Sequence, residues 1–247
     1  YQLEVERAEK APAARNDILA KRFNIPMEGY TYFFSYNETL PKRYREYTNV
    51  PCALGADLSR GDDFCAFTFF FPLRGGEFGI KCLNFISERT MFKLPLALHE
   101  KYQQFLKEGS LIVMPGSVLD IPQVYELLYQ YIEDHRYDVR SMGYDPYNAP
   151  KFLELYSRDF SGYCVEKVIQ GAKTESVPLG ELKKLSEDGL LYFDQAAMQF
   201  CMGNCITLED TNGNRKLYKP RNDAKIDAVA AMMDAYISYK LHREEFQ

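Results

Sequence analysis

From Pro51 onward, apolar and polar positions follow one another in short blocks. Three runs rich in Phe, Ile, Val and Cys (Cys52–Asp57, Phe64–Phe71 and Phe78–Ile86) are separated by turn residues, the pattern of buried strands. The loops between them, 59–63 and 74–77, are short and carry glycine, which predicts antiparallel neighbours and so a three-stranded meander. The period then changes. A polar helix is expected over Leu96–Glu108 and a short apolar run over Leu111–Met114. Between Asp120 and Arg136, Ile121, Val124, Leu127, Leu128, Tyr131 and Ile132 recur at helical spacing, with Asp120 at the N-cap. Val139–Tyr144 reads as a strand stopped by Asp145-Pro146, Ala149–Phe160 as a helix, Tyr163–Ile169 as a strand and Leu179–Asp188 as a helix. Within Cys201–Lys219, two polar–apolar runs joined by Thr211-Asn212-Gly213-Asn214 predict a hairpin. A last helix is expected over Asp223–Glu244, capped by Asn222 or Asp223, with Ile226, Val229, Ala230 and Met233 on its apolar face.

Antiparallel strands followed by β-α-β units predict an α/β fold, a mixed sheet flanked by helices in three layers, over residues 49–247. Residues 1–48 differ. They are polar and Ala-rich to about residue 30, and aromatic with the basic cluster Lys42, Arg43 and Arg45 after it, as expected of a connector or arm. The opening Tyr-Gln-Leu-Glu-Val-Glu-Arg reads like the middle of a helix, so a longer parent protein is expected.

Composition narrows the class. Hydrophobic residues make up 46% of the 247 and charged residues 26%, with 19 Tyr, 17 Phe and no Trp, the balance of a folded chain. No apolar run approaches the roughly 18 residues of a membrane helix and no leader opens the chain, so a cytosolic protein is expected. The six cysteines lie mostly in apolar stretches, form no C-x-x-C pair and accompany three His; they read as reduced core residues rather than a zinc site or disulfide framework. The net charge of −5 argues against binding nucleic acid through the overall field. A local basic tract remains at Lys216, Lys219 and Arg221, suited either to gripping phosphate or to solvating a hairpin.

Three aspartates interrupt apolar surroundings. Asp57 ends a strand run in Gly55-Ala56-Asp57-Leu58-Ser59, Asp145 ends another in Gly143-Tyr144-Asp145-Pro146, and Asp227 lies beside an apolar helix stripe. Each has a plain alternative: Asp57 and Asp145 as turn acids bonding their own backbone, and Asp227 as a first-turn acid favoured by the helix dipole. A buried carboxylate is costly unless hydrogen-bonded or cation-bound. Strand ends of an open α/β sheet share a rim, where two such acids and one from a covering helix can meet. Three hard oxygen donors with no His or Cys suit Mg²⁺ or Mn²⁺ rather than zinc.

The order of these blocks resembles the C-terminal nuclease domain of the large terminase subunit of tailed bacteriophages, of the type found in prophages. The matching stretches are the connector-like Asp17–Pro26, Gly55-Ala56-Asp57-Leu58-Ser59 with Asp63, Pro115-Gly116-Ser117-Val118-Leu119-Asp120, Gly143-Tyr144-Asp145-Pro146, and Met198–Ala235 with Asn204, Lys219 and Lys225-Ile226-Asp227. The resemblance covers nearly the whole chain. It implies a ribonuclease H-like fold and a divalent-metal-dependent endonuclease that cuts concatemeric viral DNA for packaging in the bacterial host cytoplasm. Asp57, Asp145 and Asp227 would hold two Mg²⁺ or Mn²⁺ ions, with Asp63, Asp120 and Asp223 as candidate accessory acids. Asp145 stands where other members often carry the longer Glu. Double-stranded DNA, the terminase small subunit and the portal are the implied partners.

An ATPase motif is lacking: Gln170-Gly171-Ala172-Lys173-Thr174 has no Gly before its Lys. No G-x-S-x-G or Cys-His pattern points to a nucleophilic enzyme. Two other readings compete. One is a catalytically silent ribonuclease H-like module that grips DNA or docks on the portal. The other, a doubly wound cofactor-binding domain, is weakened by the opening meander and the missing Gly-rich first βα turn.

Overall fold

The computed structural model describes residues 32–42, 46–59, 61–160, 162–221 and 224–247. Strands β1 (Pro51–Asp57), β2 (Cys65–Pro72) and β3 (Phe78–Ser87) form the expected antiparallel meander, with Gly55 opposite Thr68 and Thr68 opposite Cys82. β5 (Asp138–Tyr144) lies parallel to β1, and β6 (Val165–Lys167) parallel to β5. The outer edge of β3 is shared by β4 (Leu111–Met114) near its end and β7 (Leu191–Tyr192) near its start, both parallel to it. The sheet order β4-β3-β2-β1-β5-β6, with β7 beside β3, is ribonuclease H-like. Because β1, β3, β4, β5 and β6 run the same way, their C-terminal ends share one rim. A separate hairpin pairs β8 (Ile206–Glu209) with β9 (Arg215–Tyr218).

The central strands are buried on both faces, which explains their near-continuous apolar runs. On β2, Ala66 and Phe70 face one core while Phe67, Phe69 and Phe71 face the other. Helices α3 (Ile121–His135) and α4 (Ala149–Asp159) cover the second core through Val124, Tyr125, Leu128, Phe152 and Tyr156. The first is covered by α2 (Leu96–Lys107), α5 (Ala172–Glu187), α6 (Ala196–Asn204) and α7 (Asp227–Leu241). All six cysteines are free and buried, as reduced core residues.

α7 is the central helix. Rather than burying one stripe, it is buried almost all round, with Ala228, Ala231, Met232 and Ala235 fully enclosed. Its backbone reaches the sheet at two glycines. A Cβ on Gly55 would sit 1.7 Å from the Ala231 carbonyl oxygen, and one on Gly143 2.0 Å from that of Asp234. Gly55 and Gly143 are register partners on β1 and β5, so the helix crosses both strands at one level.

Several expectations are corrected. α5 starts at Ala172 rather than Leu179 and runs through Pro178 and Gly180. Residues 201–204 belong to α6, not to the hairpin: Met198, Cys201 and Met202 pack into the core at helical spacing. The strand expected over Tyr163–Ile169 is only three residues long, and the short α1 (Glu88–Phe92) and β7 give no sequence pattern of their own. Asp120 occupies the N-cap position of α3, but its side chain makes no capping bond. α7 begins at Asp227, later than expected; Asn222 and Asp223, the proposed caps, lie outside the described residues, as do residues 1–31, Arg43 and Arg45. The described part of the expected arm packs on the domain. Phe34 is fully buried in the α7-side core, the Phe33 N–H donates to the Cys205 carbonyl (2.8 Å), and the Tyr47 ring stacks on Phe71 at 4.3 Å.

Adding one methyl at the crossing should therefore be severe. Gly55→Ala and Gly143→Ala are each expected to cost at least about 3 kcal/mol, the upper end for overpacking, because the atom struck is backbone and cannot rotate away. Urea unfolding measures it, and a variant as stable as the parent chain would contradict the close approach.

Candidate metal centre

Asp57 is the last residue of β1, Asp145 follows β5, and Asp227 opens α7. The first two are neighbours: the Asp145 N–H donates to the Ala56 carbonyl at 3.1 Å, extending the parallel ladder by one bond. Asp227 comes down to them because α7 is seated by specific side chains. The buried Thr68 hydroxyl donates to the Ala228 carbonyl (2.8 Å), and buried Asn204 donates through Nδ2 to the Lys225 carbonyl (3.1 Å), tying α6 to the segment before α7.

The charges act on one another. Burial, and then the negative charges of Asp227, Asp145 and Asp63, hold the Asp57 carboxyl well above the ordinary carboxylate range, against a smaller pull from Lys219. Asp227 is only 8% exposed; burial and then Asp63 raise its carboxyl to about 6, opposed by Lys225 and Lys219. Its Oδ2 is buried without a hydrogen-bond partner. Asp145 is half-buried and also behaves as a turn acid, since its Oδ1 accepts the Tyr147 N–H at 2.6 Å.

Asp63 is held differently. Lys219 Nζ donates to both its oxygens and Lys225 Nζ to Oδ1, each at 2.7 Å, while Lys225 also donates to the Asp62 carbonyl. Burial alone would raise Asp63, but these bonds outweigh it and keep the carboxyl below its ordinary value. The hairpin's Lys219 is thus an ion-pair partner beside the acids, whereas Lys216 is half-buried on β9 and Arg221 is exposed. Asp120 stays exposed at the start of α3, and Asp223 lies outside the described residues.

Asp234 was not among the sequence candidates. It lies seven residues after Asp227 on α7, is fully buried, and has no hydrogen-bond partner on either oxygen. Burial, then Asp57, Asp145 and Glu175, push its carboxyl well up. Helical period was the available signal, since i and i+7 share a face. Thr68 and Asn148 were also missed. Thr68 is the one hydroxyl in an otherwise apolar strand, and Asn148 donates through Nδ2 to the Leu58 carbonyl (3.2 Å), linking the loops after β5 and β1.

Among the described residues, no group of three or more His, Cys, Asp or Glu side chains is arranged to hold a metal ion as it stands. The donor set nonetheless fits a divalent cation: hard carboxylate oxygens, one of them buried and unpartnered, with excess negative charge that Lys219 and Lys225 offset only in part.

The model of the family described as "Terminase large subunit, endonuclease domain" matches residues 2–243. The chain belongs to that family. It is 25% identical over 234 residues to the terminase large subunit of Lactococcus phage p2, covering 93% of this chain and 43% of that protein, so it spans less than half of its relative. The crystal structure of the HK97 bacteriophage large terminase superposes with a TM-score of 0.72 at 21% identity, covering 94% of this chain and 49% of the other. That of the large terminase nuclease from thermophilic phage G20c gives 0.53 at 15% identity, covering 83% and 97%. The terminase nucleases thus share this ribonuclease H-like fold. Among the described residues, no helix is long and apolar enough to cross a membrane.

The buried acids give the endonuclease domain an inverted pH response. An unfolded aspartate loses its proton near pH 3.9, at about the model-peptide value, whereas folded Asp234 keeps its proton well above that. Its stabilising contribution is complete below the unfolded value and is lost as pH rises toward the folded one, by up to about 1.4 kcal/mol per pH unit. Without divalent ions, Asp234→Asn should therefore gain more thermal stability at pH 7.5 than at pH 5. Equal gains at both pH values would show that Asp234 is not held protonated.

Proposed function

We propose that this domain is a divalent-metal-dependent DNA endonuclease in which Asp57, Asp145 and Asp227 hold two Mg²⁺ or Mn²⁺ ions. The observation that carries this reading is the electrostatic one: three acids from β1, β5 and α7 converge on one rim, strongly enough that burial and the other acids raise Asp57. Bound there, such ions supply Lewis acidity, activating water and stabilising charge on the leaving oxygen. The protein's own contribution is placement. β1 and β5 fix Asp57 and Asp145 side by side, and α7 brings Asp227 over them. Lys219 lies where it can exchange its bond to Asp63 for a DNA phosphate. Asp63 is then an accessory acid that restrains that lysine. Asp223 could join the site from the segment before α7, and Asp120 is assigned to α3 rather than to the ions.

In its longer parent, this domain would cut concatemeric viral DNA into genome lengths in the bacterial host cytoplasm. Residues 1–48 would connect it to an ATPase domain, with the small subunit and portal as partners. Nicking of supercoiled plasmid with Mg²⁺ or Mn²⁺ tests the chemistry. Loss of groups one shell further out typically costs 10–100-fold, so Asp57→Asn and Asp227→Asn should cut at least about a hundredfold more slowly. Undiminished cutting by either variant would refute the assignment, and a parent chain that binds DNA without cutting it would favour the silent gripping module.

Lys219→Gln should weaken duplex binding to a similar extent across sequences and lower the slope of log affinity against log salt by about one. An unchanged slope would remove Lys219 from the phosphate grip.

A further inference from the structure

The loop after β5 holds its backbone tightly while presenting an aromatic ring to water. Tyr147 is 74% exposed, two residues beyond Asp145. Four hydrogen bonds pin the loop around it. The Asp145 N–H donates to the Ala56 carbonyl (3.1 Å), and the Tyr147 N–H donates to Asp145 Oδ1 (2.6 Å). Asn148 Nδ2 donates to the Leu58 carbonyl (3.2 Å), and the Ala149 N–H donates to the Pro146 carbonyl (3.4 Å). Pro146 restricts the backbone further. Asn148 adopts the left-handed conformation at φ 59°, which its short polar side chain tolerates. The chain therefore spends conformational freedom on a loop whose aromatic ring stays largely exposed.

We propose that Tyr147 is a DNA-contacting residue whose ring stacks on a nucleotide beside the phosphate that lies at Asp57, Asp145 and Asp227. The inference rests on the nuclease reading for the position of that phosphate. Three features carry it. The Tyr147 backbone is bonded into the same Asx turn as a candidate ligand, so the ring is anchored two residues from Asp145. Its loop is already ordered, so little freedom is lost on binding. An aromatic face also accepts any base freed from its own stack without reading that base's edge. Lys219, the proposed phosphate contact, bonds Asp63 beside the same acids, so the two together would hold DNA by its charge and by a flat base face.

The absence of Trp from all 247 residues makes a direct test available. In Tyr147→Trp the new indole is the only one, and its emission reports on its own surroundings. With Ca²⁺ in place of Mg²⁺ to hold off cutting, titration with a short DNA duplex interrupted by an unpaired stretch, whose base faces are open, should quench that emission. Tyr147→Ala should bind the same duplex about tenfold more weakly by anisotropy, at the lower end of what base–aromatic stacking contributes. Its melting temperature should match the parent's, because the side chain is exposed. Tyr147→Phe should bind like the parent, since the ring is what matters. Unchanged emission at saturating duplex, parent-like binding by Tyr147→Ala, or no duplex binding by the parent chain would each overturn the proposal. Quenching in a protein that never cuts DNA would leave the stacking intact and remove the hydrolytic reading instead.

Discussion

The contact of α7 with β1 and β5 is the constraint on which the rest of the domain depends. A helix is normally held off a sheet by the side chains between the two backbones, much as stacked sheets are kept about 10 Å apart. At Gly55 and Gly143 there is no side chain, and the carbonyls of Ala231 and Asp234 come so near that a methyl group could not be fitted. The helix is thereby lowered onto the strands that end in Asp57 and Tyr144, and its first residue, Asp227, arrives at their rim. Thr68 and Asn204 fix its register along that direction. A carboxylate 170 positions away in sequence from Asp57 is thus placed by packing and these two hydrogen bonds, with no local motif.

Lowering the helix also concentrates negative charge. Asp57 and Asp227 are raised by burial and by their acidic neighbours, Asp234 is enclosed with no hydrogen-bond partner, and among the described residues Lys219 and Lys225 answer from the protein side. Such a cluster is unfavourable for folding in isolation and favourable for capturing cations, the trade expected where stability is given up locally for binding. The modest net charge of −5 conceals this, because a sum over 247 residues does not say where the acids gather.

Much of the fold was legible because buried strands and amphipathic helices write their periods into the chain. The meander, α2, α3, α4 and the β5 strand follow from runs such as Phe64–Phe71 and from the spacing of Ile121, Val124 and Leu128. The period fails where burial is complete. α6 and α7 are apolar on all sides, so residues 201–204 carried no helical face to recognise, and α7 looked like a striped surface helix. Pro178 hid the first half of α5, since proline normally marks a start rather than an interior. Asp57, Asp145 and Asp227 attracted notice as acids in apolar surroundings. Asp234, just as anomalous, did not, because what raises its carboxyl is burial and then the charges of Asp57, Asp145 and Glu175, all far from it in sequence. The loop lock made by Asn148 was invisible for the same reason: its acceptor belongs to Leu58.

The outer strands of the sheet have a quieter significance. β4 has four residues, β7 two and β6 three, so the sheet offers only brief stretches of backbone at either border. An exposed border is a template onto which another polypeptide can zip. Keeping these borders short leaves a neighbouring polypeptide only two to four residues of strand to pair with at each of them, too few for a lasting shared sheet.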